Sequence, residues 1–508
     1  GRYRPMKVNL GSWYYVRWWY VDRLLHLWEN TIGFFILKTK IIWFFYRLLG
    51  AELSPFANIH AFVREFDLVK IGSQTVLKHN LKCRKFRPCG KGDDEPPTMV
   101  FRNIEIGKNC DISGMLSPGS VIGNATKVSS RSAIEEGGHV PDDVLAQGSP
   151  AYNAGGANLT KSSLRDDILL DIIKIAWMVV ELHHFFALFL LAQMVLNQNI
   201  PQWRYTNLMY WFLIFPLTSM FGIVTSIILK WTLMGNRSRR ENLDCLWVRA
   251  TDWICDIHYQ ICMTTIMPLF GKSRVQHLIL ILHGLDTDFG STICSNGMMF
   301  LTHVDHIKIR RSFLSSIQYD IKDAGGSIEI LDSVVGFDSI LCSGTKVVRS
   351  KIPPRSVIAE GIFDMNEEKT LQKSKPNAWV LEMIQMCMPV MLFMCFIPPY
   401  EVFMVTVYDR SVELAILGLV ASIGTQGLVW AILLALIERI FLCAPKSVQS
   451  HLVGTYLEHS WTNQYWNLFY LLNGSPLVCW YLMTRGCNVE GDLWYFGSYL
   501  YVLRHEEK

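Results

Sequence analysis

The chain has 508 residues, half of them hydrophobic, and a formal net charge of only +4. That balance excludes a disordered chain and a bulk basic field for nucleic acid, and it leaves material for several cores. Thirteen cysteines, with no CxxC pair and no Cys/His set at zinc spacing, exclude a zinc module and point to a reducing compartment with no metal.

Residues 1–50 are aromatic-rich but broken by charges, as in Trp13, Tyr14, Trp18, Trp19, Asp22, Arg23 and Lys38. Such a segment suits helices lying in a membrane interface with Trp and Tyr at headgroup depth. A single span over residues 34–49 is the competing reading.

Residues 51–155 carry a finer period. An apolar or small residue returns every sixth position as Ile104, Cys110, Leu116, Ile122, Val128, Ile134 and Val140. Four residues after the steps from Cys110 to Ile134 stand Gly114, Ser120, Thr126, Ser132 and Gly138, all small. A period of six fits neither an amphipathic helix nor a half-exposed strand. It fits a left-handed hexapeptide β-helix, in which one residue per short strand fills a triangular core and the corner residue is small. The basic cluster Lys82, Arg84, Lys85 and Arg87 falls inside this module, and Arg237, Arg239 and Arg240 form a second cluster. Both read as solvated loops beside a membrane, with an anionic-lipid or phosphopantetheine-phosphate site as the sharper alternative.

Residues 170–235 read as a transmembrane hairpin. The stretch 205–229 has no charge, whereas its partner 175–196 contains Glu181, His183 and His184. If those three lie within the membrane they are functional by default, and near a helix end they border a wet cleft instead. Residues 245–282 repeat the aromatic interfacial pattern, and 283–365 repeat the hexads more weakly through Val335, Leu341 and Val347, with Ser339 and Thr345 at the small positions. Residues 377–445 form a second hairpin from stretches 383–400, broken by Pro389, Pro398 and Pro399, and 414–437. Residues 452–508 start a third module.

The order is an internal repeat. With Gly50, Gly284 and Gly486 in register and no gaps, Lys38, Lys272 and Gly474 coincide, each followed by Thr39, Ser273 or Ser475. The closing segments also align, Pro141, Ala146 and Gly148 with Pro354, Ala359 and Gly361. The Gly284–Gly361 distance is shorter than Gly50–Gly148, so the second β-helix is about one coil shorter. The fold class is therefore membrane α + β, with two left-handed parallel β-helix modules joined and followed by transmembrane helical hairpins, interfacial helices and a partial third module. The hairpin tips hold Arg204 and Arg410, while Lys161, Arg165, Lys174, Lys230, Arg439 and Lys446 lie at the other ends. The positive-inside rule then puts both β-helices and both termini on the cytoplasmic side of a multi-pass protein.

For acyl transfer the chemistry needs a base for an attacking amine or hydroxyl, a groove for a thioester and a donor for the oxyanion. His303, in Leu301-Thr302-His303-Val304-Asp305-His306, is the better candidate base, with Asp305 or His306 to orient its ring if the segment is a strand. His79 is the second. Each is weighed against a packing or surface histidine.

Arg17-Trp18-Trp19, the step Arg47-Leu48-Leu49-Gly50-Ala51, hexads opening at Ile71-Gly72, a nearby histidine and the closure Gly148-Ser149-Pro150-Ala151 follow one another in the first module. In this order the chain resembles the C-terminal membrane region of ε-poly-lysine-synthetase-type non-ribosomal peptide synthetases. The resemblance implies tandem acetyltransferase-like modules that join amino-acid monomers through amide bonds. It departs where the family has an H-L-F-E-like run, since His79 is followed by Asn80-Leu81-Lys82-Cys83 and His303 has Asp305 outside that motif. The second module closes on Gly361-Ile362-Phe363 rather than Pro-Ala.

The resemblance implies no tightly bound cofactor but a phosphopantetheine-linked thioester, on a carrier protein or coenzyme A. The expected partners are membrane lipids, a carrier or adenylation-carrier protein, and further copies of the chain or a larger complex. Two other readings stand beside acyl or aminoacyl transfer: a non-catalytic membrane scaffold, and lipid or fatty-acyl handling near His183 and His184.

Overall fold

The computed structural model describes residues 2–407 except 88–96, 130–131, 158, 160–163, 201–204, 237–244, 271–273, 295–300, 316–317, 321–326, 336–339, 343–344, 354–355, 359–360 and 365–377, together with isolated positions beyond 407. Ser339, Pro354, Ala359, the arginines at 237, 239 and 240, most of 414–437 and the third module, apart from Met483, lie outside the described residues. The chain divides into two compact units, Gly1–Met178 and Val179–Lys508.

In the first unit, α1 (Trp13–Trp28) starts where the Ser12 hydroxyl accepts the Tyr15 N–H, a standard N-cap. A π-helical turn and the short α2 (Phe34–Ile36) lead to α3 (Lys40–Leu48), capped by Thr39. From Glu52 onward the chain winds through short parallel strands in three sheets. In one, Leu53, Ile71, Ile106, Ile122 and Val140 stand in register. In the next, Ile59, Leu77, Ile112, Val128 and Ala146 do so, and the third pairs Leu116 with Ile134. All twelve are buried, while their strand neighbours Lys70, Glu105, Val121 and His139 face out. One inward side chain per rung accounts for the six-residue period, and burying each aliphatic residue contributes about 1.5–3 kcal/mol. The insertion after Leu81 leaves the stack as Arg84–Arg87 and Thr98–Phe101, an antiparallel pair whose second strand also pairs with Met6–Asn9.

The corner device is specific. Gln74, Asn109 and Ala125 adopt left-handed φ, each followed by a small buried residue, Thr75, Cys110 or Thr126. The Thr75 hydroxyl donates to the Gly107 carbonyl at 2.7 Å and accepts the Cys110 N–H at 3.2 Å, so the turn leaves no stranded donor.

In the second unit, α4 (Leu164–Asn199), which begins in the first, is followed by α5 (Thr206–Leu229), a π-helical turn Lys230–Met234, α6 (Leu246–Phe270) and α7 (Arg274–Leu282). A second set of three parallel sheets follows, of five, four and three strands. It is interrupted after Thr292–Cys294, where α8 (Leu301–Val304) forms one helical turn. Ile309, Ile330 and Val347, then Leu314, Val335 and Ile352, then Leu341 and Ile358 are buried in register. Here the corners are serines. Arg311, Asp332 and Arg349 have φ of 46°, 47° and 44°, and each precedes a buried serine. Ser312, Ser333 and Ser350 donate to the carbonyl two residues back, and each hydroxyl except the last accepts the N–H of the next serine, at 3.1 and 3.2 Å.

Among the described residues, two helices, Arg165–Asn199 and Thr206–Met234, are long and apolar enough to cross a membrane. The expected break at Pro389, Pro398 and Pro399 is not found. A single helix, α9 (Ala378–Val407), runs through all three, and the Ser422 hydroxyl donates to the Pro399 carbonyl at 2.7 Å.

Gly50 and Gly284 occupy equivalent corners. Each ends a nine-residue helix and turns into the first coil with φ of 110° and 105°. A Cβ on Gly50 would lie 2.4 Å from Asp67 Oδ1, and one on Gly284 would lie 2.3 Å from Asp305 Oδ1. We expect Gly284→Ala to lower stability by about 1–2 kcal/mol from backbone strain alone, and further from the clash. Gly155→Ala, with φ of 125° and no neighbour within 4 Å, is the control. Thermal unfolding in detergent reads the difference; equal shifts would refute the carboxylate contact.

Candidate active site

The residues with chemical potential in the second unit converge on one face of α5. Gly222, Thr225, Ser226 and Lys230 recur at helical spacing, and all but the half-buried Thr225 are buried or backbone-only contacts. A Cβ on Gly222 would lie 2.5 Å from Cys262 Sγ, so the glycine permits the close approach of α6.

The deepest group is His258 on α6, fully buried. Its Nδ1 lies 2.5 Å from Glu181 Oε1 on α4, and its Nε2 lies 2.9 Å from Thr225 Oγ1, 3.0 Å from the Gly222 carbonyl and 3.9 Å from Cys262 Sγ. Glu181 is buried, and its second carboxylate oxygen has no hydrogen-bond partner among the described residues. His184, one turn along α4, reaches Thr225 Oγ1 from its Nε2 at 3.1 Å and is only half-buried. His183 points elsewhere, is exposed, and meets the Val179 carbonyl through Nδ1.

Toward the coil, the face continues with the Ser226 hydroxyl 3.0 Å from His283 Nε2. The other nitrogen, Nδ1, bonds the Ile279 carbonyl at 2.7 Å, which fixes Nδ1–H and leaves Nε2 to accept from Ser226. Burial, with Lys230 adding to it, pulls the His283 ring down to about 4 despite that carbonyl. Burial also lowers His277. Both rings are neutral in the folded protein and would bind protons once unfolded. Stability from them is therefore complete above about pH 6.5 and is lost as pH falls toward 4. We expect roughly 3 kcal/mol of that loss from His283, and His283→Gln to flatten the stability–pH profile between those limits; an unchanged profile would contradict the assignment.

Lys230 is fully buried. Its Nζ lies 2.7 Å from Asp305 Oδ1 and 4.3 Å from the centre of the Trp231 ring. Asp305 thus engages Lys230 beneath Gly284. The expected strand across residues 303–305 is replaced by the helical turn α8, so the argument that residues two apart share a face does not apply to His303 and Asp305. The turn is pinned at its start, where the Leu301 N–H donates to Asp256 Oδ1 at 2.8 Å. His303 lies on it, with its side chain outside the described residues.

His79, in the first unit, follows the strand Val76–Leu77, is half-buried, and its Nδ1 lies 3.1 Å from the Asn80 carbonyl. Among the described residues no carboxylate hydrogen-bonds it. The first unit instead holds a closed charge cluster. Arg64 bonds Asp22 Oδ1 at 2.6 Å and Glu29; Arg84 bonds Glu65 and lies 3.2 Å from Asp22 Oδ1; Arg23 also bonds Asp22. Trp18 Nε1 and the Cys83 N–H complete Glu65. Burial pushes the Asp22 carboxyl up, but the guanidiniums of Arg84, Arg64 and Arg23 prevail and hold it well below the usual range. Glu65 precedes Asp67 by two residues, as His303 precedes Asp305.

Sequence reasoning singled out Glu181 and His184, missed His258 and Thr225, and counted Lys230 only as a flanking charge, whereas it is fully buried. A lone carboxylate in an apolar helix is a demand for a partner, but nothing in the sequence says which helix supplies it.

No protein-family model and no curated protein matches the chain. Among solved structures, a hexapeptide-repeat-containing acetyltransferase from Vibrio cholerae aligns over 30% of this chain and 97% of its own, at 14% identity and a TM-score of 0.23. The acetyl coenzyme A complex of such an acetyltransferase from Vibrio cholerae O1 biovar eltor aligns over 23% and 76%, at 15% identity and a TM-score of 0.17. At that level the function has to be argued from this chain's own residues.

Proposed function

We propose that the chain is a membrane-embedded acyl- or aminoacyl-transferring unit that forms amide bonds from carrier- or coenzyme-A-bound thioesters. The observation that carries the reading is the pair of coiled parallel-sheet stacks, each entered from a nine-residue helix through a left-handed glycine that faces an aspartate further along the coil, Asp67 or Asp305, in the order of the synthetase region the sequence resembles. The helices Arg165–Asn199 and Thr206–Met234 tether the stacks to the bilayer, with the coils on the cytoplasmic side.

In this reading the acceptor amine attacks the thioester carbonyl: a C–N bond forms, the C–S bond breaks, and the thiolate leaves and is protonated. His303, on the turn pinned through Leu301 and Asp305, takes the proton lost by the nitrogen. His79 is the alternative base. We expect His303→Gln to reduce turnover by about 10²–10⁴-fold and His79→Gln to reduce it far less, measured with a carrier-bound thioester and an amine in lipid nanodiscs. Unchanged turnover in the double variant would reject both assignments.

A specific observation favours a second role for the first unit. Counted back two residues from the aspartate that faces each corner glycine, the place of His303 is held in the first unit by Glu65, whose two oxygens are occupied by Arg84, Trp18 and Cys83. That unit serves as a scaffold, while the second unit does the chemistry.

A further inference from the structure

We propose that Glu181 and His258 form a buried proton-binding site that exchanges its proton with the half-buried His184 through the Thr225 hydroxyl. The inference goes beyond acyl transfer and does not depend on it.

Three observations on separate elements carry it. First, Glu181 is buried in an otherwise apolar stretch of α4, and its Oε2 has no hydrogen-bond partner among the described residues. A buried carboxylate oxygen in that state is costly unless a proton or another donor reaches it. Second, the contacts form one line: His184 Nε2 to Thr225 Oγ1 at 3.1 Å, Thr225 Oγ1 to His258 Nε2 at 2.9 Å, and His258 Nδ1 to Glu181 Oε1 at 2.5 Å. Third, the line begins at a side chain that is only half-buried and ends at one that is buried.

The hydrogens can be placed consistently in two states. With His258 neutral, His184 Nε2–H donates to Thr225, the Thr225 hydroxyl donates to His258 Nε2, and His258 Nδ1–H donates to Glu181. A proton arriving at His184 Nδ1 then moves the chain by one step. His184 passes its Nε2 proton to Thr225, Thr225 passes its own to His258 Nε2, and His258 passes its Nδ1 proton to the Glu181 carboxylate. Each donor loses one N–H or O–H bond and gains one, so the single net change is a protonated Glu181. If the last proton stays on the ring, His258 is an imidazolium, and its Nε2–H has the Gly222 carbonyl at 3.0 Å to accept it. The Thr225 hydroxyl, 2.8 Å from the same carbonyl, rotates between the two arrangements. Apart from Glu181 Oε2, no group in the line is stranded in either state.

Among the described residues, the ionisable groups facing this line are few. From α4 they are Glu181 and His184, and from α6 His258 and Cys262. Along α5, Lys230 is neutralised by Asp305, and His283 is occupied by Ser226 and Ile279. Asp256 of α6 is engaged by the Leu301 N–H.

The test is infrared difference spectroscopy of the full chain in nanodiscs during pH titration and pH jumps. We expect a protonated-carboxyl carbonyl band that Glu181→Gln removes. Thr225→Val should slow the rise of that band after a pH jump by at least tenfold while leaving its midpoint in place, and Thr225→Ser should restore the rate. His184→Gln should slow it similarly. A band unaffected by Glu181→Gln, or wild-type kinetics in Thr225→Val, overturns the proposal. Should Glu181→Gln fail to fold, the valine and serine variants at Thr225 still decide.

Discussion

Replacing Lys230 with methionine should destabilise the second unit by about 3–5 kcal/mol, because it strands the Asp305 carboxylate in the interior. Lys230 is fully buried and Asp305 nearly so, at 3% side-chain exposure, so water does not repair the loss. The pair also lies where several elements meet: the π-helical turn after α5, the Gly284 corner and the end of α8. A buried pair of this kind is weak evidence of net stabilisation, since hydrophobic replacement of both partners is often neutral. The sharper expectation therefore concerns the combination. Lys230→Met with Asp305→Asn should recover a large part of what Lys230→Met alone loses, giving a coupling of about 0.5–3 kcal/mol in a double-mutant cycle. Thermal or denaturant unfolding of the four proteins measures it. Additive losses would show that Lys230 and Asp305 are not coupled.

The second large effect is expected at Arg84 in the first unit. Its guanidinium pairs with Glu65, lies 3.2 Å from Asp22 Oδ1 and covers the Trp18 ring at 4.7 Å. With Asp22, Glu29 and Glu65 against Arg23, Arg64 and Arg84, the cluster balances three negative with three positive groups. Arg84→Met keeps most of the packing volume but leaves Glu65 with only Trp18 and the Cys83 N–H. We expect a loss of about 3–5 kcal/mol and, in the same variant, Asp22 titrating at a higher pH because one of its guanidiniums is gone. Arg84→Lys should recover only part, since an ammonium does not reproduce the planar guanidinium that lies over the Trp18 ring. Stability of Arg84→Met equal to that of the wild type would show that the cluster is screened by solvent rather than sealed.

Much of the fold was legible because a coil imposes its period directly on the chain. Leu116, Ile122, Val128, Ile134 and Val140, read as inward residues, are all buried, and so are Val335, Leu341 and Val347, whereas Cys110, read with them, is buried at a corner and Ile106 and Ile112 take the inward places. Ser120, Thr126 and Ser132, read as small corner residues, are buried too. The serine ladder through Ser312, Ser333 and Ser350 was equally available in the sequence. It escaped notice because its spacing changes from 21 to 17 residues as rung lengths vary. Local context misled at His303, where a helical turn interrupts the strand register. Proline misled in α9, where Pro389, Pro398 and Pro399 suggested a break in a helix that continues. The site was less legible than the fold. Glu181 announced itself by charge, but His258 lies 77 positions away on a helix that shows no charge pattern pointing back to α4. Such partners are fixed by packing at Gly222, which spacing alone does not reveal.

The central claim, acyl transfer by the coiled stacks, is tested most directly by supplying the full-length chain in lipid nanodiscs with an acyl or aminoacyl phosphopantetheine thioester and an amine acceptor. Amide product and free thiol are then followed together by mass spectrometry. The account predicts that both appear in equal amounts and that both fall together in His303→Gln. Thioester that stays intact, or thiol released without amide, would contradict it.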